Sequence, residues 1–408
     1  MILSAVSCKY ETAPQPDYVS QSNYPQEVGN IIVNRCATAG CHNANSAAAA
    51  SGLNLETWDD MFTGNTNGAV TIPYRSDQST LCFFTNTDTT LGVAIQPTMP
   101  LNSAPLSKSE YKLLSDWIDA GAPDKNGVIK FSGNPQRKKF YVANQGCDNV
   151  AVFDAEQKVI MRYVDIGMTG ATEAPHYIKL APDGQYWYAL FYAGNIFQKF
   201  RSDNDSLVAT CIIDPGQWNA ISITPDSKKA YISDTGNGRI AQIDLTTMTP
   251  PSVYYNVFNN AHGLAINPNN GFVYVTNQYS NYIYKCDPAD LSSPEQIKIE
   301  AGPFKDFNSL NPHEVVFTPD SNYYFLSCDF SNEIRIMDAH ADTLVKVIAS
   351  PEKPLEFAVS SQMQYPYVFV TCQEAVSPQA GSKGAVLVID YSTLNVVKTF
   401  DAGFFQPH

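Results

Sequence analysis

The chain has 408 residues, more than one hydrophobic core usually supports, so two domains are expected. A formal charge of −14 argues against nucleic acid, which requires a basic face, and leaves ordinary solubility or the steering of basic partners as its meaning. Tyrosine (23) and phenylalanine (21) are abundant while charged residues make up only 16%, a balance that fits a β-rich protein.

No run of 18 apolar residues offers a membrane span. Residues 1–7 are apolar and small and lead straight into Cys8. They read as the end of a secretion signal closing in a lipobox, although the stretch is short and lacks a basic start. On this reading Cys8 is acylated, residues 9–23 form a polar tether, and membrane attachment is through the lipid only; otherwise Cys8 is incidental. Residues 1–21 are assigned to signal remnant, lipobox and tether.

Residues 25–35 carry Val28, Ile31 and Ile32 at the i, i+3, i+4 spacing of one helical face, with Pro25 suited to the first turn. The predicted helix runs into Cys36-Ala-Thr-Ala-Gly-Cys41-His42. Two thiols directly before an imidazole suit covalent haem attachment: each thiol adds across one vinyl group and His42 ligates the iron. The usual spacing is C-x-x-C-H, whereas here four residues separate the cysteines. The bland alternative is a small Cys36–Cys41 disulfide with His42 as polar surface. Zinc is disfavoured, because no second Cys/His pair lies nearby at structural-site spacing.

Residues 58–62, Trp-Asp-Asp-Met-Phe, predict a short amphipathic helix that buries Met61. Pro97-Thr98-Met99-Pro100 then presents a thioether between two prolines of fixed φ, the form a second axial ligand would take. A lone methionine is more often core; paired with His42, Met99 would raise the iron's reduction potential and suit an electron carrier. Ser107-Lys-Ser-Glu110 is a capping box opening a helix with Leu114, Trp117 and Ile118 in one stripe, stopped by Gly121 and Pro123.

These segments resemble the haem-binding domains of bacterial cell-envelope proteins. Those domains carry a Cys-Ala-x-x-Gly-Cys-His run, a Gly-Leu-x-Leu segment (here residues 52–55), a Met-Pro loop and a closing Trp-Ile-x-x-Gly-Ala helix (here residues 117–122). The resemblance covers residues 22–127. It implies a small all-α cytochrome c-like domain over residues 22–130, with haem c attached at Cys36 and Cys41 and with His42 and Met99 axial to its iron. Haem attachment to cysteines is an export-compartment chemistry in most bacteria, which agrees with Cys8 and implies the periplasm or cell envelope, with a redox protein as partner.

Residues 131–408 are assigned to an all-β domain of repeats. Copies opening at His176, Asn219, His262, His313, Glu356 and His408 step by 43, 43, 51, 43 and 52 residues, the period of a four-stranded propeller blade. Each opens on an alternating strand that ends in a Pro-Asp-Gly-type turn, followed by further short strands. The second strand of one copy spells Tyr274-Val-Thr-Asn277, and the same slot reads Tyr141-Val-Ala-Asn144, Tyr231-Ile-Ser-Asp234 and Phe369-Val-Thr-Cys372. This part resembles the YVTN-repeat β-propellers. Six blades are countable, the first without its inner strand and the last copy stopping at its opening residues, so seven are expected in an intact ring.

Four histidines, His176, His262, His313 and His408, share one repeat position, with Asn219 and Glu356 in the other copies. They are expected at one mouth of the central channel, where imidazoles could hold an additional metal or a small anion. The competing reading has them bonding backbone across blades. Gly236-Asn237-Gly238 is a hairpin turn, since no helix follows it as in a phosphate loop. Cys82, Cys147, Cys211, Cys286, Cys328 and Cys372 read mostly as buried free thiols.

The leading functional expectation is an envelope haem-c electron-transfer protein whose propeller docks a partner or substrate. The alternatives are a redox enzyme with a metal or second cofactor in the His-lined channel, and a non-redox surface binding module. No catalytic residue is assigned.

Overall fold

The structure, a computed structural model, describes residues 18–300, 309–373, 384–401 and 407; Cys8, the start of the tether and His408 lie outside these residues. The chain divides into two compact units, one of residues up to 142 together with 150–164, the other of residues 143–149 and 165 onward.

In the first unit, helices Tyr18–Gln21, Gln26–Ile31, Trp58–Met61, Thr80–Thr85 and Lys108–Asp119 surround one core. They are few and short. Gly, Pro, Asn and Thr crowd the sequence between residues 63 and 106 and favour turns, so an all-α description holds only in part. Val28, Ile31 and Ile32 are buried as their spacing predicts. The coil changes at Ile32, however, to a π-helical turn over Ile32–Cys36, closed by the Ala37 amide donating to the Ile32 carbonyl at 3.0 Å. Met61 is fully buried, and Trp58 donates from Nε1 to the Ala122 carbonyl at 2.8 Å.

Helix Lys108–Asp119 opens on the predicted capping box and buries Leu114, Trp117 and Ile118. It stops at Gly121, whose φ of +101° favours glycine, and a Cβ there would come within 2.9 Å of Ile129 and Tyr74. Met161, on strand Ile160–Asp165, and Val159 just before it close the core.

Six sheets follow in chain order, and the chain forms a six-bladed β-propeller. The first sheet has three strands, Lys139–Asn144, Asn149–Asp154 and Ile160–Asp165; each of the other five is a four-stranded antiparallel meander. Six is the number countable in the repeats, and no seventh sheet occurs among the described residues. Inner strands Pro175–Leu180, Trp218–Ile223, Ala261–Ile266, Pro312–Phe317 and Pro354–Val359 open sheets two to six. Apolar clusters fill the spaces between successive blades: Tyr188 and Leu190 meet Ile221 and Ile232, and Tyr274 meets Phe317 and Tyr324.

One device recurs from blade to blade. A hydroxyl on a second strand reaches the opening of the next inner strand: Ser233 donates to the His262 carbonyl, Thr276 to that of His313 at 2.8 Å, and Ser327 to that of Leu355 at 2.6 Å. Thr276 also accepts from the Gly263 amide at 2.8 Å. The third letter of the Tyr274–Asn277 run is thus a staple between blades.

All eight described cysteines are free thiols, including Cys36 and Cys41, so the alternative of a disulfide between those two is not formed. Cys147 is exposed and Cys41 half-buried; the remaining six are buried. No helix among the described residues is long and apolar enough to cross a membrane.

Candidate functional site

The first unit gathers the Cys-Cys-His run at the end of its π-helical turn. The His42 amide donates to the Cys36 carbonyl at 3.1 Å and the Cys41 amide to that of Thr38 at 3.0 Å, with Gly40 at φ +80° making the reversal. The loop so formed brings both thiols and the imidazole onto one short segment. Asn43 fixes its far side by donating to the Thr38 carbonyl at 2.6 Å, and Leu55 of the Gly-Leu-x-Leu segment donates to the His42 carbonyl at 2.8 Å.

His42 is half-buried, and its Nδ1 is fully enclosed without a hydrogen-bond partner. Burial lowers its pKa, opposed by the Leu53 backbone, so the neutral ring that can donate a lone pair is favoured. Burial also pushes the Cys36 thiol up to about 12, against the pull of Arg35.

Met99 lies on the loop before helix Lys108–Asp119, half-buried, with its amide donating to the Phe84 carbonyl at 2.7 Å. Around it Val93 and Leu101 are each 53% exposed and Ile95 39%, an apolar group left facing water. Arg35, one residue before Cys36, ties the two segments together. It donates to Glu110 at 2.7 Å and to the carbonyls of Ala104 at 2.5 Å and Pro105 at 3.2 Å, just beyond Met99. His42 Nδ1 makes no hydrogen bond to Met99 or to any other described residue. The donor chemistry fits a haem: two free thiols, an imidazole with an unmet buried nitrogen, a thioether and an apolar loop.

The second unit places His176, His262 and His313 at the mouth of the inner strands, where each strand carries a β-bulge at the histidine position. A bulge re-aims a side chain, here along the ring towards the next blade. Asn219 Nδ2 lies 3.2 Å from His262 Nδ1, which is also 3.0 Å from the His313 carbonyl; the two imidazoles sit 4.0 Å apart. Gln278 Nε2 is 3.1 Å from His313 Nδ1, and Glu356 is 3.5 Å from its Nε2. His176 is engaged by Gln145 at 3.3 Å. The histidines therefore bond across blades, and among the described residues no three His, Cys, Asp or Glu side chains are grouped to hold a metal ion. His408 lies outside those residues.

The pairing corrects the repeat register by one residue. Pro354 faces Cys372 as Pro312 faces Cys328, so Leu355 takes the histidine position and Glu356 is level with Glu314. Glu314 is 4% exposed; its Oε1 accepts from the Val315 amide at 3.0 Å and its Oε2 has no partner. Gly263 makes room for it, since a Cβ there would lie 2.5 Å from Oε1. Burial, then the charge of Glu356, push the Glu314 pKa well above the usual carboxylate range, with Lys179 acting against them. Water reaches Lys179, but surrounding protein still lowers its pKa against the pull of Glu314 and Glu356. Sequence reading missed this layer; superposing Pro312-His-Glu-Val on Pro354-Leu-Glu-Phe would have revealed the two acids.

No protein-family model matches the chain. No curated protein matches it either. Among solved structures, 1619 chains match, which marks an architecture shared too widely to define an activity. A functionally unknown protein from Desulfotomaculum acetoxidans DSM 771 aligns with 66% of this chain and 81% of its own, at 17% identity and a TM-score of 0.52. Kuenenia stuttgartiensis hydrazine synthase aligns with 58% of this chain and 70% of its own, at 15% identity and a TM-score of 0.46. Likeness at such identities speaks to fold alone.

Proposed function

We propose that the chain is an electron-transfer protein of the cell envelope, carrying haem c on its first unit and using the propeller to dock a partner. The observation that carries this reading is the enclosed Nδ1 of His42, unmet and set directly after two free thiols. Cys36 and Cys41 would hold the group through thioethers, and His42 and Met99 would be its axial ligands. Bound there, haem supplies reversible one-electron transfer at a potential raised by the thioether ligand.

The chain's own residues do the positioning. The Cys36 carbonyl and the Leu55 amide hold the backbone on both sides of the imidazole, at 3.1 and 2.8 Å. Arg35 locks the attachment segment to the loop beyond Met99, so both ligands belong to one rigid frame. A net charge of −14 steers a basic redox partner towards the protein, an association that salt weakens. In this reading Cys8 carries the lipid that keeps the protein at the membrane.

The test is the full chain made in a host competent for cytochrome maturation. Haem that stays on the denatured polypeptide, with the reduced spectrum of low-spin haem c, is the expected result. His42→Ala should abolish the low-spin spectrum while covalent pigment remains, and replacing both cysteines with alanine should remove the pigment. A colourless protein of bare polypeptide mass overturns the proposal.

A further inference from the structure

Between the third and fourth sheets lies a cavity of about 430 Å³. Two hairpin turns, at residues 235–238 and 277–282, and the loop Phe258 to Asn260 form its walls. Its volume falls in the range of small-molecule sites. The lining is unlike the rest of this acidic surface: amides, hydroxyls, glycines and aromatic rings, with no Asp, Glu, Lys, Arg or His.

Two of its lining residues carry a buried, unmet polar atom, Thr235 at Oγ1 and Asn277 at Oδ1, and Asn277 is only 2% exposed. The third sheet shows what this position does elsewhere. Asp234, in the slot of Asn277, accepts from the Gln217 amide at 2.9 Å, Asn237 Nδ2 at 2.8 Å and Arg239 Nε at 2.7 Å. In the fourth sheet the equivalent oxygen is left for something else, and a buried acceptor without a donor is costly. At the cavity mouth Tyr279 is 54% exposed and held at φ +59°, a conformation rare for a bulky residue, with its amide donating to Asn311.

From this we infer that the cavity is a binding site for a neutral saccharide of one or two sugar units. A lining without charged side chains has no opposite charge to offset the desolvation of an anion or a cation, and its unmet polar atoms disfavour a purely apolar guest. A sugar hydroxyl both donates and accepts, so it satisfies Thr235, and it satisfies Asn277 in either orientation of the amide. The exposed ring of Tyr279 supplies the apolar face on which a sugar ring packs. This site is independent of the haem proposal and survives its failure.

Saturation-transfer NMR on the full chain tests it, with glucose, maltose, cellobiose, lactose and N,N′-diacetylchitobiose as neutral probes and glucosamine and glucuronic acid, the size of glucose, as charged ones. At least one neutral probe should bind, and more tightly than either charged sugar. Tyr279→Ala and Asn259→Ala, both at exposed positions, should weaken it by about tenfold each, the scale of one lost aromatic or polar contact. Silence from all five neutral sugars, equal binding of the charged ones, or unchanged affinity in both folded variants overturns the inference.

Discussion

Glu314 shows how much one side chain can impose on its surroundings. Its carboxyl lies over a glycine, takes one backbone hydrogen bond and leaves the second oxygen unmet, so the neutral acid is the form the wall tolerates. In the unfolded chain the same group ionises near its ordinary pKa of about 4.3. Above that pH the unfolded state binds fewer protons than the folded one, and stability therefore falls as pH rises towards the folded pKa. Below it the penalty vanishes. Glu314→Gln keeps the shape and removes the titration, so its denaturation midpoint should gain on the parent's between pH 4 and pH 8. A difference that stays constant across those pH values would place the proton elsewhere. Nothing in an acidic letter between His313 and Val315 announces such a group; one neighbouring blade has to supply the glycine and the other the second acid.

At the scale of elements, the repeat slot Tyr274–Asn277 earns its recurrence through Thr276, which joins its own inner strand to the next one through two 2.8 Å hydrogen bonds. Thr276→Val preserves volume and branching but leaves the Gly263 amide and the His313 carbonyl short of a partner. A loss of about 1–3 kcal/mol is expected in urea unfolding, and a variant as stable as the parent would show that the bond contributes little. The sequence made much of this level readable. The capping box at Ser107, the burial of Met61 and the stripe from Leu114 to Ile118 all stand where local pattern places them. The π-helical turn before Cys36 was not readable, because Val28, Ile31 and Ile32 satisfy an apolar face whether the coil then continues as α or widens. The histidine ring was legible as a repeat position, yet its bonding depends on bulges that re-aim each imidazole, a feature set by pairing between strands. The clamp of Arg35 on Ala104 and Pro105 spans about 70 residues and left no local trace.

For the whole molecule, the period of the copies disclosed the propeller, while the extent of the first unit depends on contacts that no composition shift records. A cut at residue 130, where helix-forming sequence gives way to strands, removes Phe131, Val159 and Met161 from the first unit's core, where they are 6%, 4% and 1% exposed. Arg137 is lost as well, a residue that stacks over the Phe131 ring at 5.3 Å and pairs with the buried Asp154 at 2.5 Å. Each of the three apolar side chains is worth about 1.5–3 kcal/mol when buried. Together they amount to a large share of the roughly 5–15 kcal/mol that keeps a domain folded. A fragment of residues 18–130 should accordingly lack near-UV circular dichroism and unfold without a cooperative transition, whereas residues 18–164 should show both. Indistinguishable urea midpoints for the two fragments would mean that the helices close their core unaided and that the returning strands only cover it.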